Sequence, residues 1–380
     1  MTEPGGACAA CLRRALLLRG LAAHLERVAT KEPGTRSREL LALPDADLVA
    51  AVGGAGARSV LERTRAMELE PLDAELTAAG CWATCAHRDA YPSALRDLGA
   101  EAPAALFGRG ERSLVAGLEP GAAVTIVGAR RASVYGLGVA RELSRMLAGS
   151  GVTVVSGLAL GIDSEAHRGA LEGGGPTLAV LGGGPERAYP PSRRRLYDRI
   201  VDRGACLSEL PPGTGAYRWT FPARNRIMAA LANLTVVVEA AERSGSLITS
   251  GMAMDAGRDV GAVPGPVTSW LSEGTNQLIA DGAIVIRDAQ DVLDALLGAG
   301  ASRVRDTGPA VDPELAEVLA AVEGGHRSPD SIVAALGAPA SEVAARLARL
   351  ELLGYLQTDV TGRYARTALI PPRTLRKLSA

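Results

Sequence analysis

Ten consecutive residues, Tyr217-Arg218-Trp219-Thr220-Phe221-Pro222-Ala223-Arg224-Asn225-Arg226, concentrate chemistry that is scarce elsewhere in the chain. Only two Phe and three Trp occur in 380 residues, and one of each is here, among three arginines and no acidic residue. Guanidinium forks pair with phosphate oxygens and aromatic faces stack on unpaired bases, surfaces that a single strand offers and a duplex hides. Taken alone, the decapeptide fits equally well an Arg-rich surface loop whose aromatics are tucked into the core. Its flanks break the tie.

Several glycine-rich stretches follow short apolar runs. Gly128-Ala129-Arg130-Arg131-Ala132-Ser133 follows Ala123 to Val127, Ser156-Gly157-Leu158-Ala159-Leu160-Gly161-Ile162-Asp163 follows Val152 to Val155, and Gly182-Gly183-Gly184-Pro185 follows Thr177 to Leu181. After Val238-Glu239, Ser244-Gly245-Ser246-Leu247-Ile248-Thr249 opens a helix. Loops of this kind let backbone amides approach an anion, and Arg130 at a helix N-terminus adds a full charge to that partial one. Together they describe an oxyanion-binding cleft, most naturally for phosphate. The charge count agrees. From Arg187 to Arg226 nine arginines stand against Asp198, Asp202 and Glu209, an excess of six in a chain whose net charge is −1. Internal pairs on a solvated helix face account for Arg193 to Arg203 but not for Arg218 to Arg226.

Other chemistry for the same residues fits less well. A dinucleotide fingerprint would read Gly-x-Gly-x-x-Gly and place an acidic residue after the second strand; neither is present, and no P-loop occurs. Ser156, Asp163 and His167 contain the letters of a hydrolytic triad, but they lie within twelve positions and Ser156 lacks the glycine of a nucleophile elbow. Asp163 is expected to cap the helix it opens, His167 to pack or hydrogen-bond against a neighbouring loop, and Glu239 to act as a structural ion pair or loop clamp rather than a base.

The elements that must position these residues alternate. Apolar runs at Ala205 to Ser208, Leu234 to Val238 and Val260 to Val263 continue the series, with helices at Tyr135 to Leu147, Ile162 to Glu172, Arg193 to Arg203, Arg226 to Leu231 and Ser246 to Arg258 between them. Strand–helix alternation means right-handed βαβ units and a doubly wound, mainly parallel sheet, with ligands beyond the carboxyl ends of its strands. Residues 1–75 read as a small helical domain. There, a helix, the turn Gly53-Gly54-Ala55-Gly56 and another helix resemble a helix–hairpin–helix element, although packing of a small all-α domain is the preferred reading. Cys81 to Gly110 is a lead-in that adds an edge strand to the α/β domain of residues 76–297. A Gly/Ala-rich linker follows at 298–311, then three short helices (Pro313 to Val322, Ser328 to Leu336, Ser341 to Leu352) and a hairpin within 312–372, which make a winged helix. Arg346 and Arg349 on its third helix could meet a DNA groove, but with those two charges offset by Glu342 and Glu351 a protein-contact or purely structural role fits equally well.

Composition sets the bounds. A 47% hydrophobic, 22% charged chain of this length buries two or three cores. The near-zero net charge excludes a global polyanion field, so any nucleic-acid site is a local patch. With no signal-peptide pattern and no apolar run of about 18 residues, a cytoplasmic protein without a membrane span is expected. Cys8-x-x-Cys11 and Cys81-x-x-x-Cys85 have the count for a four-thiolate zinc site. The pairs are far apart and neither has a Gly-bearing knuckle, so reduced, mostly buried thiols are preferred and no metal or cofactor is expected.

In order along the chain, these motifs resemble the DNA-processing protein A family (DprA, also called Smf). The resemblance is carried by Gly128-x-Arg-x-x-Ser-x-Tyr-Gly136, Ser156-Gly-Leu-Ala-x-Gly-Ile-Asp163 with Ala166-His167, Tyr189-Pro190, Ser208-Glu209 and Phe221-Pro-x-Arg-Asn-Arg226. It continues through Val237-Val-Glu239, Ser244 to Thr249, Pro264-Gly265 and Gly274-Thr-Asn276, with Tyr91-Pro92 and Leu106 to Gly110 upstream. It covers roughly residues 75 to 290. It implies an extended Rossmann-like domain that binds single-stranded DNA, self-associates as a homodimer and loads RecA during natural transformation, and it implies a mediator rather than an enzyme. By motif position, Arg130 would grip phosphate, Arg218 would face DNA, Phe221 would contact a base, and Arg224, Asn225 and Arg226 would hold the pocket wall and phosphates. Gly128, Ser133, Ser156, Gly157, Ser244, Gly245 and Thr249 would frame the pocket. Ala129 stands where a Ser is usual, and Leu160 where a polar or basic residue is common. The alternative class, a nucleotide- or sugar-phosphate-processing enzyme of phosphoribohydrolase type, would need a Pro-Gly-Gly-x-Gly-Thr loop. Pro264-Gly265-Pro266 is the nearest approach.

Overall fold

The computed structural model describes residues 6–29, 35–119, 121–301, 308–309, 311–359, 362–367, 369 and 371. Five helices come first: α1 (Ala9–Ala29), α2 (Thr35–Ala42), α3 (Asp45–Val52), α4 (Ala55–Ala66) and α5 (Glu70–Ala78). The boundary expected at residue 75 falls inside α5. The turn between α3 and α4 has Gly53 and Gly54 at positive φ (69° and 91°), as the helix–glycine–helix reading expects.

The middle of the chain is β1 (Cys81–Cys85), α6 (Ser93–Arg96), β2 (Ala105–Gly110), α7 (Arg112–Ala116), β3 (Ala123–Val127), α8 (Val134–Gly149), β4 (Thr153–Ser156), α9 (Ile162–Glu172), β5 (Thr177–Val180), α10 (Arg194–Arg203) and β6 (Ala205–Ser208). It continues with α11 (Thr220–Leu231), β7 (Leu234–Val237), α12 (Gly245–Asp255), β8 (Asp259–Ala262), α13 (Glu273–Ala280), β9 (Ile284–Val285) and α14 (Ala289–Leu297). The nine strands form one sheet in the order β1-β2-β6-β5-β4-β3-β7-β8-β9. From β6 to β9 every pairing is parallel. The β1–β2 hairpin adds to β6 antiparallel, so the lead-in supplies two strands, with β2 inside and β1 at the edge.

Asp259 of β8 and both residues of the edge strand β9 are exposed, whereas the parallel strands β3 to β7 are buried along their whole length, as β3 (Ala-Val-Thr-Ile-Val) illustrates, because helices cover both faces. Its single polar side chain is satisfied: Thr125 Oγ1 donates to Met228 O at 2.7 Å. Successive strands step outward from β3 to β6, and the chain then returns to lay β7 on the other side of β3. The strand order therefore reverses at β3, and a crevice opens there above the carboxyl ends.

Helix α11 begins six residues earlier than the expected Arg226 start. Pro222 lies in its first turn, where a missing N–H costs nothing. The helix is sandwiched: Ile227, Met228 and Leu231 join the sheet core, while Ala223 joins the core of α1 to α4. Trp219, just before it, is 2% exposed in that helical core and donates Nε1–H to Ala22 O at 3.1 Å. The helical layer therefore shares a core with the entry to α11.

The winged helix is α15 (Pro313–Glu323), α16 (Pro329–Leu336), α17 (Ala340–Leu352), β10 (Leu356–Thr358) and β11 (Tyr364–Arg366), packed around Leu315, Val318, Ile332, Leu347, Leu350 and Tyr355. Of the expected linker at 298–311, residues 302–307 and 310 lie outside the described residues, as does residue 372 at the far boundary. No described helix is long and apolar enough to cross a membrane. The four thiols weighed as a zinc set do not converge. Cys81 and Cys85 sit at opposite ends of β1, about 13 Å apart at strand rise, and Cys81 Sγ turns to Ala79 O at 3.6 Å.

Candidate functional site

A cleft of about 670 Å³ opens above β3 and β7. Its lining contains nine of the sequence-predicted residues: Gly128, Arg130, Arg218, Phe221, Arg224, Asn225, Ser244, Gly245 and Thr249. Three α-helices, α8, α11 and α12, start around it. Ser133 caps α8 by accepting from Gly136 N at 3.1 Å, and Ser244 caps α12 by accepting from Ser246 N at 3.4 Å. Their positive ends favour an anion in the space between.

Phe221 lines the cleft beside Arg218 and Arg130. Tyr189 lies with its ring centroid 5.2 Å away and tilted by 42°, and the Arg130 guanidinium lies 5.5 Å from the Phe221 centroid. The aromatic pair and the cation lie together in the lining of a cationic cleft, with Tyr189 47% exposed. Around them are Arg131, Arg218 and Arg243. None of these four arginines is in an ion pair among the described residues, and all four are exposed.

The loops are held by contacts behind the cleft. Glu239 is the clamp: its carboxylate accepts from Ser133 N and Ser133 Oγ, both at 2.7 Å, and its carbonyl accepts from Ala129 N at 2.7 Å. Gly161, at φ 76°, passes so close to the first loop that a Cβ would lie 2.2 Å from Ala129 O. Gly157 gives way to Arg224, whose Nη1 would be 1.6 Å from a Cβ there. That guanidinium donates to Val180 O at 2.6 Å and lies 3.9 Å from Asp163. Burial pulls Arg224 down to about 10, against the pull of Asp163, so it stays charged at neutral pH. Burial in turn pushes the Asp163 carboxyl up, opposed by Arg224 and by the amides of Ala159 and Gly157. The Nε of Arg224 has no hydrogen-bond partner among the described residues.

Four predicted residues do not line the cleft. Arg226 is 1% exposed and holds Glu209 at 2.6 Å, with Nε donating to Glu101 O and Nη1 to Ala223 O. It is a core ion pair and reaches no ligand, because two residues past Arg224, about 200° around the helix, it lies on the face of α11 that carries Ala223. Ser156 is buried and donates to Ile126 O at 2.6 Å. Ser133 and Gly157 support loops, as described. Asp163 is not the cap of α9, which is Gly161; it turns back to accept from Gly157 N at 3.2 Å. His167 behaves as expected, accepting from Leu158 N at 3.3 Å and sharing a 2.8 Å contact with Thr177. With Ser156 and His167 committed elsewhere, no triad forms.

Reading the sequence missed Tyr189, Arg131, Arg243 and Trp270 as cleft residues. The signal for Arg243 was its place immediately before Ser244. Trp270, 63% exposed, follows a Pro-Gly-Pro stretch and gave no local signal. The cleft gathers no set of three or more metal-ligating side chains among the described residues. It can bind anions in series and stack flat rings.

The sequence model for DNA recombination-mediator protein A matches residues 82–297, and that for the DprA winged helix domain matches residues 303–359. The DNA processing protein DprA of Streptococcus pneumoniae is 42% identical over 207 residues, 54% of this chain and 71% of that protein. Protein Smf of Synechocystis is 34% identical over 312 residues, 73% of this chain and 78% of that one. Among solved structures, that of DNA processing protein A from S. pneumoniae superposes with a TM-score of 0.57 at 34% identity, covering 72% of this chain and 96% of the other. A structure of the Helicobacter pylori protein, concerned with its single-stranded DNA binding mode, gives a TM-score of 0.50 at 29% identity, covering 54% and 92%.

Proposed function

The chain belongs to the DNA recombination-mediator protein A family, and from that premise we propose that its cleft binds single-stranded DNA, protecting incoming strands and passing them to RecA during natural transformation. The observation that carries this reading is Phe221 beside Tyr189 and Arg130, in a cleft lined by arginines without ion pairs among the described residues. A single strand presents an unpaired base to such a ring and successive phosphates to the cations, whereas a duplex presents only phosphates. The H. pylori relative is described as a single-stranded DNA binder, which supports the same assignment here.

In this reading Phe221 takes a base, and Arg130, Arg131, Arg218 and Arg243 take phosphates together with the amides at the start of α12. Arg224 shapes the wall from its buried position. The protein acts by binding rather than by catalysis: the letters of a triad are spent on loop support, and the one clamp carboxylate, Glu239, is engaged by Ser133. A second copy of the chain, meeting it through the Rossmann-like domain, and RecA are the proposed protein partners, in the cytoplasm.

The test is fluorescence-anisotropy binding to a dT oligonucleotide and to matched duplex. Four phosphate contacts to a single strand predict a slope of about −3 in log K against log salt. The expected result is a clear single-strand preference, lost in Arg218→Ala/Phe221→Ala. Equal binding of both DNA forms, or full affinity in the double variant, would overturn the assignment.

A further inference from the structure

Outside the cleft, four metal-ligating side chains from two distant stretches of sequence meet at one point. Cys8 and Cys11 lie at the start of α1, Cys85 ends β1, and His87 follows it in the turn. Their ligand atoms all lie within 4.8 Å of one another. His87 Nδ1 is 3.4 Å from Cys8 Sγ and 3.3 Å from Cys11 Sγ. With Zn–S near 2.3 Å and Zn–N near 2.0–2.1 Å, the sulfur–nitrogen edge of a zinc tetrahedron is about 3.5 Å, close to both separations.

The surroundings suit thiolates. The Cys8 amide donates to Cys85 Sγ at 3.4 Å, an outer hydrogen bond of the kind that orients and steadies a ligating sulfur. The N-terminal end of α1 adds its positive dipole. Cys11 and Cys85 are buried, Cys8 is half-buried and His87 is exposed, so the cluster is sheltered on the protein side and reachable from solvent. All three cysteines are free thiols, and a single disulfide would leave one of them unmatched beside the imidazole.

We propose that Cys8, Cys11, Cys85 and His87 bind one zinc ion through three thiolates and an imidazole Nδ1, clamping the first turn of α1 to the edge strand β1. Binding displaces the three thiol protons to solvent. Four protein ligands complete the tetrahedron and leave no open position, so the ion is structural rather than catalytic. A thiolate-rich set also selects zinc over magnesium or calcium. The site is independent of the proposed function, but it bears on the cleft through α1. That helix is 21 residues long. Further along it, Ala22 O and Glu26 accept from the indole and the backbone amide of Trp219, the residue just before α11. The clamp thus anchors one end of the helix that holds the entry to α11.

The experiment is elemental analysis of the full chain, purified without chelator and again after reduction and zinc reloading. One zinc per chain is expected, retained in Cys81→Ser and Cys206→Ser and lost in Cys8→Ser and Cys11→Ser. His87→Ala changes an exposed side chain and leaves the core intact. It is expected to weaken zinc at least tenfold in competition with a chromogenic chelator, and His87→Cys to restore it. Cobalt in place of zinc is expected to show the intense visible bands of a tetrahedral thiolate site. Less than about a tenth of an equivalent of zinc in the wild type, with no cobalt uptake by the reduced chain, would overturn the proposal. So would unchanged zinc affinity in both His87→Ala and Cys11→Ser, or a Cys8–Cys11 disulfide in the protein as purified.

Discussion

The cleft and the winged helix both carry arginines where DNA could meet them, and they treat those arginines in opposite ways. Around the cleft, Arg130, Arg131, Arg218 and Arg243 have no ion pair among the described residues. On α17, Arg346 lies 3.2 Å from Glu314 and 3.6 Å from Glu342, and Arg349 lies 3.0 Å from Asp312. Each of Arg346 and Arg349 therefore already has an acidic partner that a phosphate would have to displace. Pairs of this kind add little to stability, yet they cancel the local field. Counting arginines does not locate an anion site, because a paired arginine brings no free charge to it. A third group makes the same point from the other side, since Arg226 belongs to the same decapeptide as Arg218 and Phe221 but is spent on Glu209 inside the core.

That contrast sets the predictions. The largest effect is expected at Arg226, where substitution leaves Glu209 buried and unpaired. Arg226→Met is expected to destabilise the fold by about 3–5 kcal/mol, read as a lowered midpoint in urea; an unchanged midpoint would remove Arg226 from the core and return it to the list of DNA contacts. Phe221→Ala is expected to keep the wild-type midpoint and to lose about 1–3 kcal/mol of single-strand affinity in anisotropy, the worth of one stacked base.

The core behind the loop at Leu158 is also expected to be acid-sensitive. Burial, helped by the Arg224 charge, holds His167 down to about 3 from its ordinary 6.5. As pH falls below 6.5 the unfolded chain takes up a proton that the folded histidine refuses, so stability drops down to about pH 3, by up to roughly 1.4 kcal/mol per unit. His167→Gln is expected to flatten that part of a midpoint-against-pH curve.

Smaller still, Arg218→Ala is expected to reduce the salt slope by about 0.7, the share of one phosphate on a single strand. The smallest effect is expected on the winged helix. Arg346→Ala/Arg349→Ala is expected to change single-strand affinity less than about twofold, since paired surface charges carry little free attraction. If that double variant matched Arg218→Ala in loss of affinity and slope, the contrast between the two regions would fail.

Much of this was legible in the residues. The buried parallel strands, the glycine loops at their ends and the helices between them were placed to within a few residues, because each rests on local periodicity and backbone freedom. The Glu239 clamp and the His167 contact with the Leu158 loop were expected and found. The start of α11 was not, because Pro222 reads as a break until it is seen to occupy a first turn. Trp270 and Tyr189 entered the cleft from loops that carry no period at all.

What the sequence by itself determined was therefore the local grammar: which segments become strands, which become helices, where the backbone can bend around an anion, and that aromatic and cationic chemistry gathers near residue 220. What only the tertiary structure decided was the partnership of each group. Arg226 meets Glu101 O across 125 residues, Trp219 meets Ala22 across 197, and His87, not Cys81, joins Cys8 and Cys11. The physical reason is that a charge, a thiol or an indole takes its role from the few atoms within hydrogen-bond reach. In a sheet whose order departs from chain order, those atoms come from anywhere along the chain.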